Sequence, residues 1–193
     1  MNIGLIGFGS MGRTHAFSVA SLPFFYKDLP FEAKITGIYT RTPETREKAA
    51  KEFGFTRAYS SEDEMMNDPS IDVIDITSPN TAHYETIKKA IAAGKNVLCE
   101  KPLCVTSAEA FECAKMADEA GVTAQIVFNN RFLSPVMRAK ELIDEGRLGK
   151  IVSFRCAYLH ASCTDLEKKA GWKQDRTICG GGVLFDLGSH AID

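Results

Sequence analysis

Through its first two-thirds the chain alternates short β-branched runs with helical stretches that stop at glycine, a rhythm that few folds accommodate. Residues 2–8 form an apolar run, and residues 11–21 read as a helix. Residues 33–39 are the next strand, followed by a helix that Pro43 opens, Arg46, Ala49, Ala50 and Phe53 continue, and Gly54 stops. Residues 71–77 are β-branched and apolar, interrupted by Asp72 and Asp75, and the helix at 81–93 closes on Gly94. A strand at 96–99, a helix at 107–120 closed by Gly121 and a strand at 123–128 complete the series. Short connections between such elements predict the α/β class: a doubly wound parallel sheet with helices on both faces. Residues 21–32, rich in aromatics and prolines, read as a loop insertion before the second strand.

Past Phe128 the rhythm changes. Residues 134–145 suit a helix with Pro135 in its first turn and Gly146 at its end. Residues 151–159 read as a longer strand with Val152, Phe154, Cys156 and Tyr158 on one side, and 161–177 as an irregular loop. The expected domains are therefore 1–128 and 129–193. A length of 193 residues allows one large domain, or one complete domain and part of another.

Composition closes off several functions. The formal net charge is −2 and no basic block stands out, which argues against a nucleic-acid partner. Apolar runs such as residues 97–99 are far too short for a bilayer, and glycines punctuate the N-terminal one where a signal peptide would need a cleavage site. Six cysteines without a Cys-x-x-Cys read as reduced thiols of a cytoplasmic protein. A zinc site from Cys163, Cys179 and a histidine lacks the usual ligand spacing, so no metal is expected.

Gly7-Phe8-Gly9-Ser10-Met11-Gly12 lies between the first strand and the first helix. In that setting the first glycine permits a tight turn, the second admits a pyrophosphate and the third lets helix pack on strand. Amides at the helix N-terminus, with the positive end of its dipole, then receive the phosphates. The absence of G-x-x-x-x-G-K-[ST] argues against a P-loop hydrolase. At the end of the second strand, where an acidic residue would bind the ribose hydroxyls of NAD, stands Thr40-Arg41-Thr42. Arg41 can pair with a 2′-phosphate or lie over adenine, which favours NADP over NAD. Near the C-terminal end of the sequence Asp186 and His190 are four apart, and on a helix they share a face. A carboxylate beside an imidazole fixes its tautomer and suits a proton shuttle.

Two further segments, Ser78-Pro79-Asn80-Thr81-Ala82-His83 and Glu100-Lys101-Pro102, complete a recognisable set with the glycine loop and the stretch from Gly180 to His190. Together they resemble the glucose–fructose oxidoreductase/inositol dehydrogenase/MocA (Gfo/Idh/MocA) family along the whole chain. The resemblance implies an N-terminal Rossmann domain and a second α+β domain built on an open antiparallel sheet. It also implies oxidation of a sugar or cyclitol hydroxyl, or reduction of the ketone, with NAD(P), in a homo-oligomer. On that basis Ser78, Pro79, Asn80, His83, Glu100 and Lys101 join the cofactor contacts, with His83 equally suited to packing near the ribose. Lys101 stabilises the alkoxide as hydride leaves. His190 is the general acid/base, with Asp186 as its partner. Arg131, Trp172, Lys173 and Arg176 are substrate-side candidates; His15 and His160 receive no catalytic role.

Family members continue well beyond the helix that carries His190, so a fragment of a longer protein is the expectation, ahead of a truncated product that a partner completes, with an incomplete second domain. Two other functions stay open: an NAD-dependent glycosidase that oxidises a sugar transiently, and a cofactor-binding sensor or scaffold without turnover.

Overall fold

Neighbouring residues on a strand point to opposite faces, and in β1 (Asn2–Ile6) both faces are apolar, which marks a strand covered on two sides. The computed structural model, which describes residues 1–161, 164, 167, 169 and 171–193, places β1 at the centre of a six-stranded sheet. The helix α1 (Ser10–Phe25) leads to β2 (Lys34–Tyr39), α2 (Pro43–Phe53), β3 (Arg57–Ala58) and α3 (Glu62–Met66). The second half runs through β4 (Val73–Ile76), α4 (Asn80–Ala92), β5 (Asn96–Glu100), α5 (Ser107–Ala120) and β6 (Ala124–Val127). Strand order is β3-β2-β1-β4-β5-β6, with β1 parallel to both β2 and β4 and β4 parallel to β5. This is the order expected of a doubly wound dinucleotide-binding sheet, and its direction of winding reverses at β1 and β4. The crevice beyond the C-terminal ends of those two strands is where such sheets take ligands.

Strand parity sorts the core into two layers. Ile6, Ile74, Ile76, Val97 and Cys99 pack with Ile87, Ala90 and Ile91 of α4 and with Cys113 and Ala117 of α5. On the opposite face Leu5 and Ile38 pack with Ala16 of α1 and Ala49 of α2. Asp75 lies between Ile74 and Ile76 and opposite Leu5, so its carboxylate belongs to the face that α1 covers. Leu98 and Glu100 share that face by the same alternation along β5.

Helix ends follow local chemistry. Gly54 and Gly121 close α2 and α5 in the left-handed conformation. Thr106 and Glu109 form a reciprocal capping box at the start of α5, and such a cap contributes about 1 kcal/mol. One boundary differs from expectation. The first helix runs on to Phe25 rather than giving way to loop at Ser21, with Pro23 inside its last turn. The amide of Tyr26 closes that turn on the Leu22 carbonyl.

The chain divides into two compact units, Met1–Ile126 and Val127–Asp193. The second contains a 3₁₀ turn at Asn129–Phe132, α6 (Ser134–Asp144), a 3₁₀ turn at Trp172–Gln174, α7 (Arg176–Cys179), a π-helical turn at Leu184–Gly188 and α8 (Ser189–Ile192). The strand expected at 151–159 is not formed: residues 151–160 carry no regular structure, and Val152 and Phe154 are 87% and 78% exposed. A strand is held by its neighbours' backbone groups, and among the described residues none pairs with this segment. Alternating apolar residues alone do not make one. No helix of the described residues is long and apolar enough to cross a membrane.

Candidate functional site

The glycine loop turns sharply between β1 and α1. Gly7 has φ +94°, and its N–H donates to the Tyr39 carbonyl at 2.9 Å, locking the turn to the end of β2. A Cβ on Gly12 would sit 2.5 Å from the Gly7 carbonyl oxygen, so only glycine allows α1 to approach the strand this closely. At Gly9 the opposite holds: a Cβ would meet nothing within 4 Å. That open space faces the start of a helix whose first turn carries no acidic residue. First-turn amides of a helix lack intrahelical acceptors, so those of Ser10, Met11 and Gly12 suit a phosphate. Phe8 is buried with its ring edge-on to Phe53 and Phe55, and the Arg13 guanidinium lies 5.5 Å from its centre.

The neighbouring strand ends supply the rest. Thr40 donates its hydroxyl to the Thr42 carbonyl at 2.8 Å, and Arg46 donates to the Thr40 carbonyl at 3.1 Å. Arg41 is exposed between them and makes no hydrogen bond or ion pair among the described residues. Beyond β4, the buried Ser78 hydroxyl has no hydrogen-bond partner. Pro79 caps α4 and Asn80, also buried, opens it. An open cradle at Gly9, an acid-free helix start and an orphaned hydroxyl at Ser78 fit a dinucleotide.

His83, expected among the cofactor contacts, is wholly buried, with Nδ1 2.9 Å from the Pro102 carbonyl and Nε2 2.8 Å from the Ser78 carbonyl. Both ring nitrogens face protein carbonyls, so the ring lies packed between the two loops and turns neither nitrogen towards the cradle.

Sequence reading passed over a strongly perturbed group beside the glycine loop. His15 lies on the buried face of α1 with Gly12 and Ala16. Its Nδ1 faces both oxygens of Asp75 at 2.9 and 3.0 Å, and its Nε2 faces Glu100 Oε1 at 3.1 Å. Burial by itself would lower the ring's pKa. Hydrogen bonds to Asp75 and Glu100, with their charges, more than reverse that and raise it from 6.5 to about 10. Burial also pushes the Asp75 carboxyl upward, against the pull of His15. The signal that could have found the cluster was Asp75 itself, a carboxylate in a strand covered on both faces, where a charge needs a partner.

A ring that holds its proton more tightly when folded favours the folded chain most fully below pH 6.5, and that contribution drains away as pH rises to about 10. Resistance to urea is therefore expected to fall across that window, by at most about 1.4 kcal/mol per pH unit from this group. His15→Gln should flatten the slope. An equal slope in the variant would assign it to other groups.

In the second unit, Lys173 Nζ lies 2.9 Å from both oxygens of Asp186. The single α-helix expected to carry both residues is replaced by a π-helical turn that holds Asp186 and by α8, directly after it, that holds His190. The His190 ring is edge-on to Phe128 and Tyr158, with centres 6.1 and 6.2 Å away. Trp172 lies beneath the Lys173 ammonium, 5.9 Å from ring centre to nitrogen. Arg131 donates to both oxygens of Asp193 at 2.7 and 2.8 Å, and Arg176 opens α7. Cys179 is buried, and Cys163 lies outside the described residues.

Comparison with known proteins agrees with this arrangement of motifs. The oxidoreductase family with an NAD-binding Rossmann fold (GFO_IDH_MocA) matches residues 1–128, and the GFO/IDH/MocA C-terminal domain matches residues 136–193. Levoglucosan dehydrogenase from Pseudarthrobacter phenanthrenivorans is 36% identical over 193 residues, covering 100% of this chain and 50% of that protein. The scyllo-inositol 2-dehydrogenase (NADP(+)) IolW of Bacillus subtilis is 32% identical, again over 100% of this chain and 50% of its own length. A solved complex of levoglucosan dehydrogenase with NADH and levoglucosan matches at a TM-score of 0.94 and 35% identity, covering 100% of this chain and 52% of that one. The chain thus spans about half the length of the curated relatives it matches. With one profile on the sheet and glycine loop and the other on the segment that carries His190, the chain belongs to the Gfo/Idh/MocA oxidoreductase family.

Proposed function

We propose that the protein is an NAD(P)-dependent oxidoreductase that moves hydride between its cofactor and a hydroxyl or ketone carbon of a sugar or cyclitol. The observation that carries this reading is the pairing, at one edge of the sheet, of an open phosphate cradle at Gly9 with the Glu100–Lys101 turn. Residues 1–128 act as the cofactor domain and 129–193 open the substrate and oligomerisation domain. The names of the relatives, which include a levoglucosan and a scyllo-inositol dehydrogenase, support a polyhydroxylated ring as substrate.

Gly7 to Gly12, Ser78, Pro79 and Asn80 hold the cofactor, and Thr40 and Arg41 meet its adenosine end. When bound, the nicotinamide accepts or returns the hydride. Lys101 stabilises negative charge on the substrate oxygen, and His190 takes or gives the hydroxyl proton. Asp186 orients this acid/base end of the site together with its own partner, Lys173. Trp172, Arg131 and Arg176 contribute to the substrate side. Arg41 favours NADP, while the NADH complex of a relative favours NAD for the shared scaffold. The five described cysteines are all free thiols, in keeping with a cytoplasmic setting.

Titrating NADH and NADPH into the protein by nicotinamide fluorescence, then following absorbance at 340 nm with sugars and cyclitols, tests the reading. Saturable binding and substrate-dependent reduction of the cofactor are expected; no saturation with either cofactor would sink it. Arg41→Asp should move relative affinity towards NADH by about tenfold, the worth of one charge-assisted contact. An unchanged ratio would show that Arg41 does not discriminate.

A further inference from the structure

The EKP turn is connected to the glycine-loop helix by a continuous line of hydrogen bonds. Glu100 uses Oε1 for His15 Nε2 at 3.1 Å and Oε2 for the backbone N–H of Lys101, also at 3.1 Å. The other ring nitrogen of His15 lies against Asp75 of β4. One imidazole from α1 therefore spans β4 and β5, and one carboxylate joins that imidazole to the main chain of the motif lysine.

We propose that His15 is a positioning residue for the reaction: by bridging Asp75 and Glu100 it fixes the Glu100–Lys101 turn, and through it the placement of Lys101. The part of this inference that concerns turnover rests on the oxidoreductase reading; the part that concerns the turn does not. Both acceptors are carboxylates, so the bridge is complete only while each ring nitrogen carries a proton. Losing either proton turns a lone pair towards a carboxylate and releases one end. A cluster that only filled space would be met as well by apolar side chains, since buried charge is no gain in stability over good apolar packing.

The charged groups around the ring are few. Asp75 faces it from β4 and Glu100 from β5, while β1 contributes no titratable side chain. On β2, Lys34 is paired with Glu32, and Tyr39 packs in the other layer. Arg13, on the same helix, lies over Phe8. The bridge therefore depends chiefly on two carboxylates, and the ring keeps its proton through the physiological range, up to about pH 10.

Asp75→Asn removes one carboxylate while keeping shape, and so brings the titration of His15 down towards its ordinary range near 6.5. Three measurements on this variant decide the matter: the His15 ring titration and the Lys101 amide resonance by NMR, and the pH profile of kcat with cofactor affinity measured separately. The expected result is a Lys101 amide that moves in step with the ring, and a new inflection in kcat at the same pH. Above it kcat should be at least tenfold below wild type, with cofactor Kd changed less than twofold. His15→Gln, which does not titrate, should lower kcat at every pH without the inflection. It also serves if Asp75→Asn does not fold. A Lys101 amide that stays fixed while the ring titrates, or in His15→Gln matches wild type, would overturn the inference. If the wild-type protein oxidises no sugar or cyclitol, the oxidoreductase reading fails, and the amide arm alone still decides whether His15 sets the turn.

Discussion

Lys101→Ala is expected to lower turnover of the intact protein by roughly 10²- to 10³-fold, the usual cost of removing a group that stabilises an oxyanion. Cofactor affinity should stay within about twofold, because the hydrogen bond from Lys101 to Glu100 uses its main-chain N–H, which alanine keeps. Steady-state rates at saturating cofactor and substrate, set beside fluorescence titrations of NADH, separate the two effects. Lys101→Arg should not restore the rate in full, since a guanidinium forks its charge where an ammonium concentrates it. Wild-type turnover in Lys101→Ala would remove the lysine from the mechanism.

Gly12→Val should abolish saturable cofactor binding and weaken the fold as well. Its Cβ would lie 2.5 Å from the Gly7 carbonyl oxygen and 2.9 Å from the Thr77 hydroxyl, and the backbone oxygen cannot retreat without moving the turn. Overpacking of this kind costs about 1–3 kcal/mol, and pushing α1 away also disturbs the phosphate-facing amides. Gly9→Ala makes the informative control. With nothing within 4 Å of the added carbon, it should unfold like wild type, yet lose at least tenfold in cofactor affinity because the methyl fills the cradle. If both variants bound NADH as tightly as wild type, the glycine loop would not be the phosphate site.

Much of the sheet was legible because each helix carried its own punctuation. Residues 107–120 were bounded as observed, with Gly121 ending α5 and Thr106 preceding it. Pro43 and Gly54 did the same for α2. The two-residue β3 and five-residue α3 escaped, since neither is long enough to show a period. Residues 151–159 misled for the opposite reason: alternation over nine residues says which side chains could share a face, but pairing depends on a neighbouring strand.

At the site, the motifs that act through backbone shape were readable and the one that acts through burial was not. Gly7 and Gly12 are informative because their backbone shape and close packing require glycine, and Gly9 because it leaves open space beside the helix start. His15 looked like one more polar residue on a surface helix. Only the sheet order, which brings the covered faces of β4 and β5 under α1, places Asp75 and Glu100 on either side of it.

The clasp that His83 makes between the Ser78 and Pro102 carbonyls bears on how such a protein can diversify. One loop follows β4 and the other follows β5, and a lineage drifting towards a new substrate would be free to alter either if they were independent. Joined through a single ring, an insertion in one is felt by the other. Inherited variety should therefore collect outside the pair, in segments that answer to no second loop.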